Sequence, residues 1–259
     1  GSKTRIAISR DLKSFDDPIL YPTPQIYSEG IQLFTSEVRE LANGEPIKGV
    51  VIGVPGTLNQ PKSKLIAAPN LPNWINKKVK RNLADSLQCD VIVENDAALV
   101  GLGEATHGAG KNNKLVAYTT ISTGVGGAMI KHKKIDETAY GFEPGQQYLI
   151  VGDQFFTLEQ VASGSGLQEA QSNSEISEEE YWENAHDYLA IGLSNIFVHW
   201  SPETVVIGGG NVIHGHIDLE LLKENLKEIY RLPNHMPNIK KATLDDFGGL
   251  WGGLSLLNH

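Results

Sequence analysis

The chain has 259 residues, 40% hydrophobic and 20% charged, with a formal charge of −9 and a single cysteine; that length leads us to expect two compact lobes with real cores. The acidic balance argues against a nucleic-acid partner, which calls for a basic face, and no apolar run approaches the roughly 18 to 20 residues of a membrane span. No signal-like start is present and Cys89 alone excludes an internal disulfide or a multi-cysteine zinc site, so a cytoplasmic enzyme is expected.

Residues 47–54, IKGVVIGV, are a β-branched run that stops at Pro55-Gly56 and reads as a buried strand. Residues 90–94, DVIVE, form a second such run, ending at Asn95-Asp96 before the helical stretch AALVGLGEATHG. Residues 115–122, LVAYTTIS, lead through Thr123-Gly124-Val125-Gly126-Gly127 into a return strand, AMIKHKKI, which predicts a hairpin with an almost all-glycine turn. The acidic run at 174–180 is expected to cap and begin a surface helix, with its carboxylates at the positive end of the dipole. Residues 203–207, ETVVI, run into Gly208-Gly209-Gly210, and the amphipathic helix LELLKENLKEIY follows. This alternation predicts an α/β protein with helices covering buried sheets, and there is no solenoid repeat or low-complexity linker.

Asp96 lies where a buried strand gives way to a helix, the place where ligands of open α/β folds bind. The free amides and dipole of a helix start hold an aspartate ionised, so Asp96 can serve as a general base towards a substrate hydroxyl; a simple helix cap is the plainer alternative. The turn at 122–127 offers closely spaced amides and two hydroxyls able to wrap phosphate oxygens, or it is a tight hairpin whose glycines merely supply positive φ. It is neither a Walker loop nor a dinucleotide fingerprint. Gly208, Gly209 and Gly210 leave bare backbone for a flat ligand, or form a plain loop. Glu143, Gln146 and Glu159 supply groups for sugar hydroxyls, although any single glutamate reads equally as a solvated surface residue. The eight histidines show no ligand spacing, and no metal site is assigned, at His214 and His216 included.

Taken in order, GVPG at 53–56, APNLPNW at 68–74, ENDA at 94–97, ISTGVGGAMI at 121–130, GFEPGQQ at 141–147, LEQVASGSGL at 158–167, SPETVVIGGG at 201–210 and DFGGLWGG at 246–253 resemble the ROK family of bacterial sugar kinases and related repressors. The resemblance implies an actin-like (ribonuclease H-like) ATPase fold of two lobes, residues 1–95 with 245–259 and residues 96–244, with a cleft between them for sugar and ATP. It implies that Asp96 deprotonates the sugar hydroxyl, that Asn95 holds a neighbouring one, and that Glu143, Glu159 and, more weakly, Asn70 contact the sugar. Thr123, Gly124, Gly126 and Gly127 match the second phosphate loop, and Gly208, Gly209 and Gly210 the segment near the adenosine. Mg2+ is expected because it bridges transferring phosphates, and a homodimer is the family-level expectation. A sugar-responsive regulator or a catalytically impaired sugar-binding protein of the same family is the alternative function.

Two departures stand out. The family's zinc site joins a histidine to three cysteines; Gln146 replaces that histidine and residues 148–157 hold no cysteine. The resemblance is therefore to a zinc-less member, with Tyr148, Phe155 and Phe156 expected to order the sugar loop by packing. The chain also begins Gly1-Ser2-Lys3-Thr4-Arg5, inside the family's first phosphate loop, so Gly1, Ser2 and Lys3 are candidate nucleotide contacts. Either the preceding strand and its aspartate are absent from this version, or Gly1-Ser2 is a tag remnant that mimics the motif. Without that strand the segment RIAIS is expected to show unpaired ladder groups.

Overall fold

A computed structural model describes residues 3–173, 176–232 and 236–258. Gly1 and Ser2, and Ser174 and Glu175 of the acidic run, lie outside them. The chain divides into two units: Gly1–Gly103, Glu137–Gly141 and Phe247–His259 form the first, Glu104–Asp136 and Phe142–Asp246 the second.

The first unit opens with β1 (Lys3–Ile6) and β2 (Ile19–Pro22), an antiparallel pair with Ile6 opposite Ile19. After α1 (Tyr27–Ala42) the GVVIGV run forms β3 (Gly49–Val54). Short strands β4 (Thr57–Leu58) and β5 (Leu65–Ala67) and helix α2 (Val79–Leu87) lead to β6 (Asp90–Asn95), parallel to β3 with Val54 opposite Asn95. Among the described residues β1 pairs only with β2 and β3 only with β6; of RIAIS, Arg5 and Ile6 lie opposite Leu20 and Ile19, and the Ile8 carbonyl accepts the Asp16 amide at 3.0 Å. The core of this unit gathers Val54, Leu65, Leu83, Val91 and Val93 around Trp74. Trp74 packs edge-on against Tyr27 and donates its indole N–H to the Pro24 carbonyl at 3.0 Å. That ring explains the aromatic end of the APNLPNW segment: it anchors the turn that carries Asn70.

Helix α3 (Asp96–Thr106) leaves the first unit for the second. There β7 (Leu115–Ile121) and β8 (Val125–Lys131) form the glycine-rich hairpin, followed by β9 (Lys134–Ile135). The expected single return strand breaks between β8 and β9, where His132 and Lys133 both take positive φ. Lys133 turns inward, and its ammonium is shared by the carbonyls of Ala105, Lys111 and Asn113. A second hairpin, β10 (Tyr148–Val151) with β11 (Gln154–Thr157), precedes α4 (Leu158–Ala162) and α5 (Gly164–Asn173). Helix α6 (Glu178–Trp200) starts as the acidic run predicts, with the Ser177 hydroxyl accepting the Glu180 amide at 3.1 Å. It is not a surface helix, because Tyr181, Trp182, Leu189, Leu193 and Phe197 bury its length in the core. Then come β12 (Thr204–Gly208), α7 (Gly210–Ile213), α8 (Leu219–Ile229) and β13 (Asn238–Lys241). The sheet order is β13-β12-β7-β8-β9, parallel from β13 to β7 and antiparallel beyond.

The chain returns to the first unit as α9 (Gly248–Leu257), the glycine-rich tail. A Cβ on Gly252 would stand 1.8 Å from the Leu99 carbonyl oxygen, and one on Gly103 would stand 2.2 Å from that of Gly248. These glycines let α3 and α9 approach backbone to backbone, which fixes the helix whose first residue is Asp96. No helix of the described residues is long and apolar enough to cross a membrane.

Candidate functional site

In the first unit the ENDA segment sits at the carboxyl end of β6. Asn95, not Asp96, is the helix cap: its Oδ1 accepts the Ala98 amide at 3.0 Å while its Nδ2 donates to the Gly56 carbonyl at 3.1 Å. Asp96 Oδ1 accepts the next amide, Ala97, at 2.8 Å. Solvent reaches Asp96, yet the protein crowded around it raises its carboxyl above the usual aspartate value, against the pull of the Ala97 amide and its own. The GVPG segment lies beneath: a Cβ on Gly53 would meet Leu99 at 2.9 Å and the Asp96 Cα at 3.6 Å, and Gly56 takes φ 104°. Asn70 is exposed on its turn with no side-chain bond to protein among the described residues. The neighbour Glu94 is buried, accepts the Asn95 amide at 2.9 Å and pairs with the Lys62 ammonium. Lys62 carried no signal in the sequence, because it lies in an unremarkable turn 32 residues away. Lys3, the described member of the first-loop candidates, is an exposed residue of β1 opposite Pro22.

In the second unit the turn between β7 and β8 is Ser122-Thr123-Gly124. None of Gly124, Gly126 and Gly127 takes a positive φ, so the plain-hairpin explanation of these glycines does not hold. Contact explains two of them: a Cβ on Gly124 would stand 2.4 Å from Glu159 Oε2, and one on Gly127 would stand 2.8 Å from Pro144 and from the Tyr118 carbonyl. The carbonyls of the turn are tied inward. Ser122 O accepts the Gly164 amide at 2.8 Å and Asn211 Nδ2 at 2.9 Å, and Thr123 O accepts the Ser165 amide at 2.9 Å and hydroxyl at 2.7 Å. The amides of Thr123 and Gly124 have no protein acceptor among the described residues, and Thr123 is exposed. A turn with bound carbonyls and free amides suits an anion.

Glu159 and Gln146 are brought together, Gln146 Nε2 donating to Glu159 Oε1 at 3.3 Å, while Glu159 Oε2 accepts the Val125 amide at 2.9 Å. Glu143 is exposed at the head of the short 3-10 turn Pro144–Gln146, its carbonyl accepting the Gln146 amide at 3.0 Å. Gly208 and Gly209 face β7, where side chains would strike the Tyr118 hydroxyl at 2.8 Å and the Ile121 carbonyl at 2.4 Å. Of the three, only Gly210 lies open, with His214 at 3.8 Å its nearest neighbour.

The packing expected of Tyr148 and Phe155 is not found, whereas Phe156 is half-buried opposite Leu149. Tyr148 and Phe155 are each 70% exposed, on the same hairpin face as Ile150, because β10–β11 alternation turns the opposite face, that of Leu149 and Phe156, inward. The segment is ordered instead by Gln147, which donates to the Pro144 carbonyl at 2.8 Å and accepts from Asn195 on α6 at 2.8 Å. Among the described residues no three His, Cys, Asp or Glu are grouped to hold a metal ion. Elemental analysis of tag-free protein is expected to show no stoichiometric zinc; about one zinc per chain would refute this.

The ROK family profile matches residues 4–146 and 153–259. The chain belongs to the ROK family. Among ROK relatives, the N-acetyl-D-glucosamine kinase of Salmonella newport is 29% identical over 303 residues, covering 99% of this chain and 96% of that protein. A ROK hexokinase from Thermus thermophilus superposes with a TM-score of 0.83 at 23% identity, covering 99% of this chain and 95% of its own. A ROK glucokinase from Streptomyces griseus, solved with glucose and AMPPNP, gives 0.76 at 20% identity over 98% and 96%. The fold is therefore the mixed α/β, actin-like two-lobe fold of ROK kinases.

Proposed function

We propose that this chain phosphorylates a hydroxyl of a hexose or N-acetylhexosamine at the expense of ATP, with Asp96 as general base. The carrying observation is the division of labour at the start of α3: Asn95 caps the helix, so the Asp96 carboxylate, which meets the Ala97 amide, is not needed as the cap, and the protein crowded around it raises its affinity for a proton. A sugar hydroxyl is a weak nucleophile until its proton has an acceptor, and Asp96 takes that proton as the oxygen attacks phosphorus. Glu159, Gln146, Glu143, Asn70 and the second Nδ2 hydrogen of Asn95 hold other hydroxyls. The free amides of Thr123 and Gly124 and the open backbone at Gly210 fit a nucleotide and would hold it. ATP would supply the phosphoryl group, and Mg2+ bound with it would supply charge neutralisation. The protein acts in the cytoplasm on a small-molecule sugar, without nucleic acid, as a homodimer.

The test is ADP release with MgATP across glucose, mannose, N-acetylglucosamine and N-acetylmannosamine. Turnover with at least one sugar is expected, and sugar binding without ADP release from any would favour the impaired binding protein. Gly126, on β8 opposite Thr120, separates the loop's roles. Gly126→Val is expected to weaken AMPPNP binding by about tenfold or more while sugar affinity stays within about twofold, since its bulk stands where phosphate approaches bare backbone. Equal losses that track unfolding would return the loop to a purely structural role.

A further inference from the structure

Glu159 touches both the segment assigned to the sugar and the loop assigned to phosphate. It stands in the first turn of α4, whose capping box, Thr157 with Gln160, fixes the backbone beneath it. One carboxylate oxygen, Oε2, lies over Gly124 and receives the Val125 amide at 2.9 Å. The other, Oε1, is held by Gln146 at 3.3 Å, a long bond for a charged acceptor. The carboxylate is thus well anchored on the loop side and loosely on the other.

Among the described residues the loop's other tethers to the rest of the protein grip carbonyls: Gly164, Ser165 and Asn211 hold those of Ser122 and Thr123. Among the described residues the Glu159 bond to Val125 is the side-chain tether on an amide here, the amide next in sequence to those of Thr123 and Gly124. We infer that Glu159 is a positioning residue that makes sugar and nucleotide binding mutually dependent, and this rests on the function proposed above. A sugar hydroxyl donating to Oε1 forms a short charge-assisted bond and removes rotamer freedom from the side chain. Oε2 is then held under Val125, and the loop's amides are ordered before phosphate arrives, so the nucleotide has less ordering to do. By linkage the same factor operates in reverse, nucleotide tightening sugar.

Calorimetric titration tests this on the full chain, with glucose and N-acetylglucosamine as sugar probes and MgAMPPNP as nucleotide probe. In the wild type, saturating sugar is expected to tighten MgAMPPNP by about 5- to 20-fold, and MgAMPPNP to tighten the sugar by the same factor. Gly124→Ala keeps a permitted backbone conformation but places a methyl against Oε2, which pushes the carboxylate off Val125. Its coupling factor, the ratio of MgAMPPNP affinities with and without saturating sugar, is expected to fall to about one whatever the change in either affinity alone. Glu159→Gln replaces charge-assisted bonds by neutral ones and is expected to lower the factor at least about threefold; it carries the test if Gly124→Ala fails to fold. A merely structural role would weaken both ligands and leave the ratio intact. Wild-type coupling retained in both variants, or a factor of one in the wild type, overturns the inference and leaves the kinase reading standing. Failure of the wild type to bind any sugar overturns both. Because AMPPNP is not turned over, an Asp96→Asn variant that stays active would sink the general base without touching this result.

Discussion

Asp96→Asn is expected to lose about 10²- to 10⁴-fold in kcat while its fold and its sugar affinity survive. The variant keeps the shape of the side chain and can still meet the Ala97 amide, and the helix is in any case capped by Asn95. What it cannot do is accept a proton. A loose phosphoryl transition state, in which the hydroxyl loses its proton late, would put the loss in the lower half of that range. The raised carboxyl adds two pH signatures. Turnover of the wild type should fall on the acid side at a pH above the ordinary aspartate value of 3.8, because Asp96 must be ionised to act. In Asp96→Asn that limb should vanish. The stability difference has a definite sign as well. A carboxyl whose folded value is raised is held neutral more readily in the fold than in the unfolded chain, so ionising it destabilises the fold. The variant should match the wild type below the ordinary value, gain on it as pH rises through the folded value of Asp96, and keep a constant advantage above. Near-normal turnover, or a loss that follows unfolding, would reduce Asp96 to a structural residue.

Glu104→Leu is expected to cost about 3–5 kcal/mol of stability, the largest loss foreseen for a residue outside the site. Glu104 is fully buried, and both its oxygens are in use. Oε1 accepts the amides of Thr243 and Leu244, each at 2.8 Å, and Oε2 accepts the Ala109 amide at 2.8 Å and the Thr243 hydroxyl at 3.4 Å. Leucine fills similar space and leaves three amides facing an apolar group, each with its own desolvation cost. Glu104→Gln keeps one acceptor but turns an amide donor towards other donors, so about 1–3 kcal/mol is expected. Urea unfolding followed by tryptophan fluorescence measures both. A Glu104→Leu loss under about 1 kcal/mol would mean that water or backbone movement satisfies these amides.

Neither the importance of Glu104 nor its partners is visible in AALVGLGEATHG, where it reads as one more helix residue. Its main acceptor bond spans 139 positions of sequence, and local pattern carries no information about a contact formed when distant segments pack. Lys62 and Gln147 were missed for the same reason. The hairpin of residues 148–157 shows the converse. Aromatic residues suggest burial, but alternation along a two-stranded ribbon must turn one face outward, and that face carries Tyr148, Ile150 and Phe155.

The sequence by itself determined the strands built from β-branched runs, the helix after Asp96, the helix start within the acidic run 174–180 and the ordered motifs by which the family is known. These depend on neighbours within a few positions, where propensity, capping and turn chemistry act directly. Only the tertiary structure decided which of two adjacent residues caps α3, and whether a glycine is needed for its torsion or for its missing side chain. Gly124, Gly127 and Gly252 all lack a positive φ and are required by groups outside their own turn or helix, such as Glu159 against Gly124, Pro144 against Gly127 and the Leu99 carbonyl against Gly252. A glycine's torsion is a local property, whereas the atom that would strike its Cβ arrives only with the fold.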